Sequence, residues 1–273
     1  MAEQNILYTK EDGIGMVTLN RPERMNAITQ QMLGDLAGIV ADIIRDNDVQ
    51  AMIITGNGRA FCGGTDVTSL GRDDEEARRD REERDKRIQE IYQNLPKSPL
   101  PRWTFTRIPK PTIAAVNGAA VGMGAEWVAQ CDIRIASDNA RFGWVFSQRG
   151  LTPDTGAGPY LLPYIVGFSK ALELMYSGEI IDAREAERIG LVSAVVPPDQ
   201  LLPAAKTMAR KLMQGAPLAL KGVKELTYGS LEWPPSVHLS ETRERFRSTN
   251  LTEDCREGIR SFREKRPPVW RGR

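Results

Sequence analysis

Two glycine-rich loops carry the residues best suited to chemistry. The first reads Ala60-Phe61-Cys62-Gly63-Gly64-Thr65-Asp66. The second reads Asn117-Gly118-Ala119-Ala120-Val121-Gly122-Met123-Gly124-Ala125-Glu126. Each follows an apolar, β-like run, Ala51–Thr55 and Thr112–Val116. Glycine lets a chain turn tightly and lets a ligand approach the backbone closely. Two backbone N–H groups converging from separate loops can hold a developing oxyanion. Such a pair suits a thioester carbonyl that becomes an enolate.

The two loops resemble the paired oxyanion-hole motifs of the crotonase family, also called the enoyl-CoA hydratase/isomerase family. Asn20-Arg21-Pro22-Glu23-Arg24-Met25-Asn26-Ala27 is similar to that family's N-terminal signature. Ser177-Gly178, Ala183, Glu185-Ala186, Gly190-Leu191-Val192 and Val195-Val196-Pro197 are similar to its later signature. Four matches in the family's order, from Asn20 to Pro197, are far more specific than one glycine-rich loop. The resemblance implies an α/β fold, a crotonase-like spiral of ββα units. It places the spiral core and acyl-CoA site in residues 1–200. A helical C-terminal region, 201–273, would then build a homo-trimer, and trimers often pair into a hexamer.

By motif position, the oxyanion donors are the N–H groups of Thr65 and Met123. Thr65 stands where the family often has Ala, and Met123 lies between Gly122 and Gly124. Removing one such donor typically costs about 2.7–4 kcal/mol of transition-state stabilisation. Glu126 follows three residues after Met123, in the first turn of a helix starting near Gly124. It matches the first of two glutamates in family hydratases, where a carboxylate positions and deprotonates water for addition at C3. A glutamate here also suits a helix N-terminus through the macrodipole.

The second hydratase glutamate is missing. It would follow Phe142-Gly143 by three residues, where this chain has Phe146. Phenylalanine cannot transfer a proton. Asp154, in Gly150-Leu151-Thr152-Pro153-Asp154-Thr155-Gly156, stands where hydratases commonly have Gly. Several isomerases of the family use an Asp at this place. Pro-Asp-Thr-Gly is also a good turn sequence. Beside Trp144 and Phe146, desolvation would raise the Asp154 pKa, which suits a group that both takes and gives a proton.

For CoA, the resemblance points to Arg24 near a phosphate and Gly63 near the adenine. Phe262 and Lys265 are similar to a C-terminal Phe–Lys pair offered to CoA, sometimes across a subunit interface. A basic, solvated tail is the competing reading. CoA enters as part of the substrate, and no separate cofactor or metal is expected. Cys62, Cys131 and Cys255 are odd in number and lack metal-ligand spacing. Cys62 is expected to be a small packed residue. His238, the only histidine, matches no motif.

The 273 residues are 41% apolar and 27% charged, with a net charge of +1. These are values for a globular domain with a sizeable core. The near-zero charge argues against nucleic acid as a partner. No stretch is long and apolar enough to span a membrane. The first residues lack the features of a signal peptide, so a cytoplasmic location is expected.

The elements that must position the site are partly legible. Ile6–Thr9 and Gly15–Leu19 form a hairpin around Glu11-Asp12-Gly13. Asn26 or Thr29 caps a helix to about Arg45, with Met32, Leu33, Leu36, Ile39, Val40 and Ile43 on one face. Strands follow at Ala51–Thr55, Thr112–Val116 and Asp132–Ala136. Residues 72–87 form a run of acids and bases with Asp74–Arg78, Glu75–Arg79, Asp80–Arg84, Glu82–Lys86 and Glu83–Arg87 at i,i+4. Each pair is worth ~0.2–0.5 kcal/mol on an isolated helix. The run reads as a solvated helix or as a lid over the acyl pocket. Three prolines between Leu95 and Pro101 end that helix. Beyond Leu201 the pattern is helical, with Leu202, Ala205, Met208, Ala209 and Leu212 as a stripe. Pro234-Pro235 interrupts it, and a last helix runs from Thr252 to Lys265.

The expected activity is addition of water to a 2-enoyl-CoA through an oxyanion-hole-stabilised enolate. One alternative is a double-bond isomerase of enoyl-CoA or dienoyl-CoA that uses Asp154. Another is a non-catalytic acyl-CoA-binding or RNA-binding member.

Overall fold

The computed structural model describes residues 4–66, 68 and 74–273. A hairpin opens the chain, β1 (Ile6–Glu11) against β2 (Ile14–Leu19), turning at Asp12-Gly13 with both residues at positive φ. Helix α1 (Gln30–Arg45) follows. Of the two candidate caps, Thr29 caps it, accepting from Met32 N. Asn26 has a different task. Its buried side chain accepts from Arg21 N and donates to Asn57 O and Ala60 O, tying the N-terminal signature to the first loop.

Three successive units then repeat one plan. β3 (Ala51–Gly56) leads to β4 (Ala60–Cys62) and α2 (Glu75–Gln93). β5 (Thr112–Val116) leads to β6 (Ala119–Val121) and α3 (Met123–Gln130). β7 (Ile133–Ser137) leads to β8 (Arg141–Gly143) and, after a loop, α4 (Ala157–Val166). The first strand of each unit joins a six-stranded sheet and the second a four-stranded one. After α4 come α5 (Phe168–Ser177), β9 (Ile181–Asp182), α6 (Ala183–Arg188) and β10 (Ala194–Val196). The larger sheet runs β1-β2-β3-β5-β7-β10, parallel from β2 onward. The smaller runs β4-β6-β8-β9. This is the expected spiral of ββα units.

Strand periodicity explains why both faces of the larger sheet are covered. Alternate residues point to opposite faces. Met52, Ile54, Ala114 and Val116 enter the main core with α1 and α3, while Ile53, Ile113 and Ala115 enter a second core. The second core is closed by α7 (Leu201–Leu212) through Leu201, Ala205 and Ala209. Leu202, expected on that inward stripe, is exposed; Leu201 takes the inward place. The strand expected from Asp132 begins one residue later. The Asp132 carboxylate instead accepts from Thr112 N and Lys224 Nζ.

The charge run is helical from Glu75, with Asp74 as cap; residues 72 and 73 lie outside the described residues. Glu75 pairs with Arg79 as the spacing predicts. Arg84 and Arg87 reach across to Gln30 and Asp35 of α1, and Arg84 also pairs with its neighbour Asp85. The helix thus rests along α1, and Ala77 is its buried residue.

Three further helices complete the chain, α8 (Pro217–Gly229), α9 (Pro235–Asn250) and α10 (Glu253–Glu264). Pro235 is the first residue of α9, a position where the missing N–H costs nothing. α9 buries none of its residues. α10 is tied to the tail, with Asp254 accepting from Arg271 N and Gly272 N. Glu257 accepts from Arg266 and from Val269 N.

Candidate active site

The two glycine loops leave neighbouring strands at the same end of the larger sheet and meet. A Cβ added to Gly64 would lie 3.0 Å from Val121 O and 3.8 Å from Met123 N. A Cβ on Gly122 would lie 3.8 Å from Gly64 Cα. Gly122 has φ 56°, which reverses the chain into α3. Met123 is the first residue of that helix, so its N–H has no acceptor within the helix. Thr65 lies in a parallel bridge with Ile28, whose bonds use Gly64 O and Asp66 N. That leaves the Thr65 N–H on the other side of the strand. Among the described residues, neither the Thr65 nor the Met123 N–H has a backbone acceptor. The two expected donors are therefore brought together, with the positive end of the α3 dipole beside them.

All eight residues of α3 are buried. Glu126 is fully buried. Its Oε1 accepts from Trp144 Nε1 at 3.0 Å and from Gly158 N at 3.0 Å. Its Oε2 accepts from the Thr155 hydroxyl at 2.5 Å and also from Gly158 N. An ionised carboxylate offers about four lone-pair sites, and these contacts occupy them. Burial raises the Glu126 pKa, and the charge of Asp154 adds to the rise. The Gly158, Thr155 and Trp144 bonds oppose it. Only glycine admits this geometry at 158, since a Cβ there would lie 2.0 Å from Glu126 Oε1.

Asp154 is exposed at the end of the loop before α4. Its Oδ2 accepts from the Thr65 hydroxyl at 3.2 Å. Crowding around the carboxyl raises its pKa, against the lowering effect of the Thr65 bond. Glu126 feels the charge of Asp154. Asp154 thus meets the Thr65 side chain, and Glu126 lies one helical turn beyond Met123 on α3. Phe146 stands at the rim, its ring 3.9 Å from where a Gly122 Cβ would lie. Trp103 holds the loop from outside, donating Nε1 to Thr155 O at 2.9 Å.

Three donors to Glu126 were not foreseen from sequence: Trp144, Thr155 and Gly158. The Pro-Asp-Thr-Gly stretch reads as a turn, and nothing in its spacing says that Thr155 faces Glu126. The Thr65 hydroxyl also escapes a reading that attends to the Thr65 backbone.

Cys62 is buried, takes Gly64 N at 3.5 Å, and has its thiol pushed up to about 12 by burial. It is a packed residue. His238 faces Leu226 O at 3.2 Å, away from the two loops. Gly63 packs against Met25, next to the exposed Arg24. Phe262 is 85% exposed and Lys265 terminates α10. Among the described residues no hydrogen bond joins either of them to the glycine loops.

Residues 9–273 match the family model described as enoyl-CoA hydratase/isomerase. The chain is 37% identical to a probable mitochondrial enoyl-CoA hydratase of Dictyostelium discoideum, over 96% of this chain and 88% of that protein. It is 35% identical to a short-chain-enoyl-CoA hydratase of Clostridium acetobutylicum, over 97% of each. It is 34% identical to the 2,3-dehydroadipyl-CoA hydratase of Escherichia coli, over 98% of this chain and 99% of that protein. A crystal structure of enoyl-CoA hydratase from Bacillus anthracis superposes with a TM-score of 0.87 at 30% identity, covering 99% of this chain and all of that one. The crotonase-fold spiral, the meeting of the two loops and these likenesses agree: the chain belongs to the enoyl-CoA hydratase/isomerase family.

Proposed function

We propose that this enzyme adds water to a 2-enoyl-CoA thioester. The observation that carries the reading is the meeting of the Thr65 and Met123 N–H groups, which among the described residues have no backbone acceptor, with Asp154 at the Thr65 side chain and Glu126 one turn along α3. The thioester oxygen accepts from both N–H groups. Charge that develops there as an enolate is held by donors already in place. The water oxygen bonds to C3 and its proton passes to Glu126. C2 takes a proton from Asp154, so the product gains one water. Raised pKa values suit both carboxyls to these transfers. Glu126 is saturated with donors, so the Thr155 hydroxyl must turn away to free a lone pair for water.

That saturation supports a second reading. With Glu126 enclosed and Phe146 in place of a second acid, Asp154 is the accessible carboxylate. It would take a proton from one carbon of the enoyl chain, leaving the enolate, and return it to another carbon, moving the double bond with no change of mass.

A paired assay separates the two. A 2-enoyl-CoA and its 3-enoyl isomer are supplied to purified protein and the products weighed. Gain of water supports hydration; interconversion at constant mass overturns it in favour of isomerisation. Silence on both overturns both for simple acyl groups. Neither reading requires a cofactor beyond the CoA carried by the substrate.

The proposed organisation is a spiral core to residue 200 and an assembly region beyond it. Val237, Leu239, Phe246 and Leu251 are exposed on and beside α9, which supports burial between copies in a trimer or hexamer. Light scattering reads that state directly. Among the described residues no helix is long and apolar enough to cross a membrane.

A further inference from the structure

Thr65 closes the first glycine loop and Asp154 lies in the loop before α4. They lie 89 residues apart, yet the side chains meet: the Thr65 hydroxyl donates to Asp154 Oδ2 at 3.2 Å. Thr65 is well placed to hold a partner. Ile28 N donates to Gly64 O at 2.8 Å and Asp66 N to Ile28 O at 2.9 Å, so backbone bonds pin both of its neighbours. Arg21 pairs with Asp66 at 3.1 Å and donates to Ala27 O, fixing the loop from the other side. A β-branched side chain on so rigid a backbone has few rotamers. Asp154, by contrast, sits in a loop and is exposed.

We propose that the Thr65 hydroxyl is a positioning group that fixes the Asp154 carboxylate beside the carbon next to the thioester carbonyl, while the Thr65 N–H holds that carbonyl's oxygen. One residue then sets the distance between the oxyanion and the proton-transfer group. The inference rests on the enolate chemistry proposed above. It goes further in assigning a role to a side chain that the oxyanion hole does not need. The step it governs is balanced: Asp154 takes a proton from C2, and the C–H electron pair passes into the enolate. Reversal returns the proton to C2.

The charge of Asp154 raises the pKa of two nearby groups, Glu126 on α3 and the buried Cys62 thiol, which stays protonated. The Thr65 bond favours the charged carboxylate, so its loss moves Asp154 to higher pH.

The test compares wild type, Thr65→Val, Thr65→Ser, Asp154→Asn and Thr65→Val/Asp154→Asn. The readout is exchange of the C2 proton of a saturated acyl-CoA in deuterated water, as a function of pH. Exchange needs ionised Asp154 and so rises as pH passes through its pKa. Thr65→Val keeps the backbone N–H. It is expected to slow exchange about tenfold, with KM changed much less, and to move the acid limb to higher pH. Thr65→Ser restores both. In the Asp154→Asn background, Thr65→Val adds nothing. An unmoved limb, or an equal loss with and without Asp154, overturns the proposal. Carbon NMR of the Asp154 carboxyl in wild type and Thr65→Val reads the contact without turnover. If wild type exchanges no CoA thioester, the functional reading fails. An Asp154 titration that is the same in both proteins sinks the Thr65 assignment by itself.

Discussion

Trp144 donates its indole N–H to Oε1 of Glu126 at 3.0 Å, and neither side chain has any exposed surface. An indole here does what an aliphatic or phenyl side chain cannot, because it gives a buried carboxylate a donor. Trp144→Phe keeps an aromatic ring and removes the N–H. The expected loss of stability is about 1.5–3 kcal/mol, the usual worth of a hydrogen bond to a charged group. Chemical denaturation of the two proteins checks it. An unchanged midpoint would mean the bond carries no net stability.

Gly158 brings its N–H to both oxygens of Glu126. Alanine there would set a methyl 2.0 Å from Oε1 and 2.7 Å from Trp144 Nε1. Something must shift, at a cost of about 1–3 kcal/mol for overpacking. Gly158→Ala is therefore expected to lower both stability and turnover. Thermal melting and turnover measured together would show it.

Stability should also depend on pH through Glu126. Burial raises its folded-state pKa above its ordinary value of 4.5. Such a group binds a proton more tightly folded than unfolded. Its contribution is fully present below the ordinary value and is lost as pH rises through the raised one. Wild type should therefore lose stability relative to Glu126→Gln as pH rises above its ordinary value of 4.5 and through the raised one. Paired denaturant melts across that range measure the difference, and a difference flat with pH would contradict the burial argument. The same substitution should slow water addition by about 10²–10⁴ if Glu126 is the water base.

Asp154→Asn removes a proton-transfer group at an exposed site. Exchange at C2 should fall by about 10²–10⁴, with the melting temperature little changed. A variant that still exchanged at the wild-type rate would return Asp154 to the role of a turn residue.

The parts of this molecule legible in the sequence are those governed by local pattern. The alternation of Ala51–Thr55 and Thr112–Val116 with glycine-rich loops placed β3 and β5 and the turns that follow them. Thr29, a good cap before an apolar periodicity, marked the start of α1. Thr65 and Met123 were singled out by motif position, and the structure brings their two loops together. Contacts made across the fold were not. Arg84 turns to Gln30 instead of Asp80, because α1 lies within reach and helix spacing says nothing of neighbours. Leu202 satisfies the helical stripe yet faces outward, since one residue of rotation puts Leu201 on the sheet. The Thr155, Trp144 and Gly158 bonds to Glu126 join segments whose proximity exists only after α3 and α4 pack together.

The proposed chemistry depends on the backbone N–H of Met123, and that group can be removed alone. Met123 is the first residue of α3, a position that accepts proline. The preceding residue is a glycine at φ 56° and ψ −122°, the mirror image of the extended region that proline favours before it. Met123→Pro deletes the donor, and Met123→Ala shortens the side chain and keeps it. On a turned-over 2-enoyl-CoA, Met123→Ala should stay near wild type while Met123→Pro loses about 10²–10³ in kcat. A Met123→Pro protein that folds and turns over at the wild-type rate would contradict the oxyanion hole on which everything else rests.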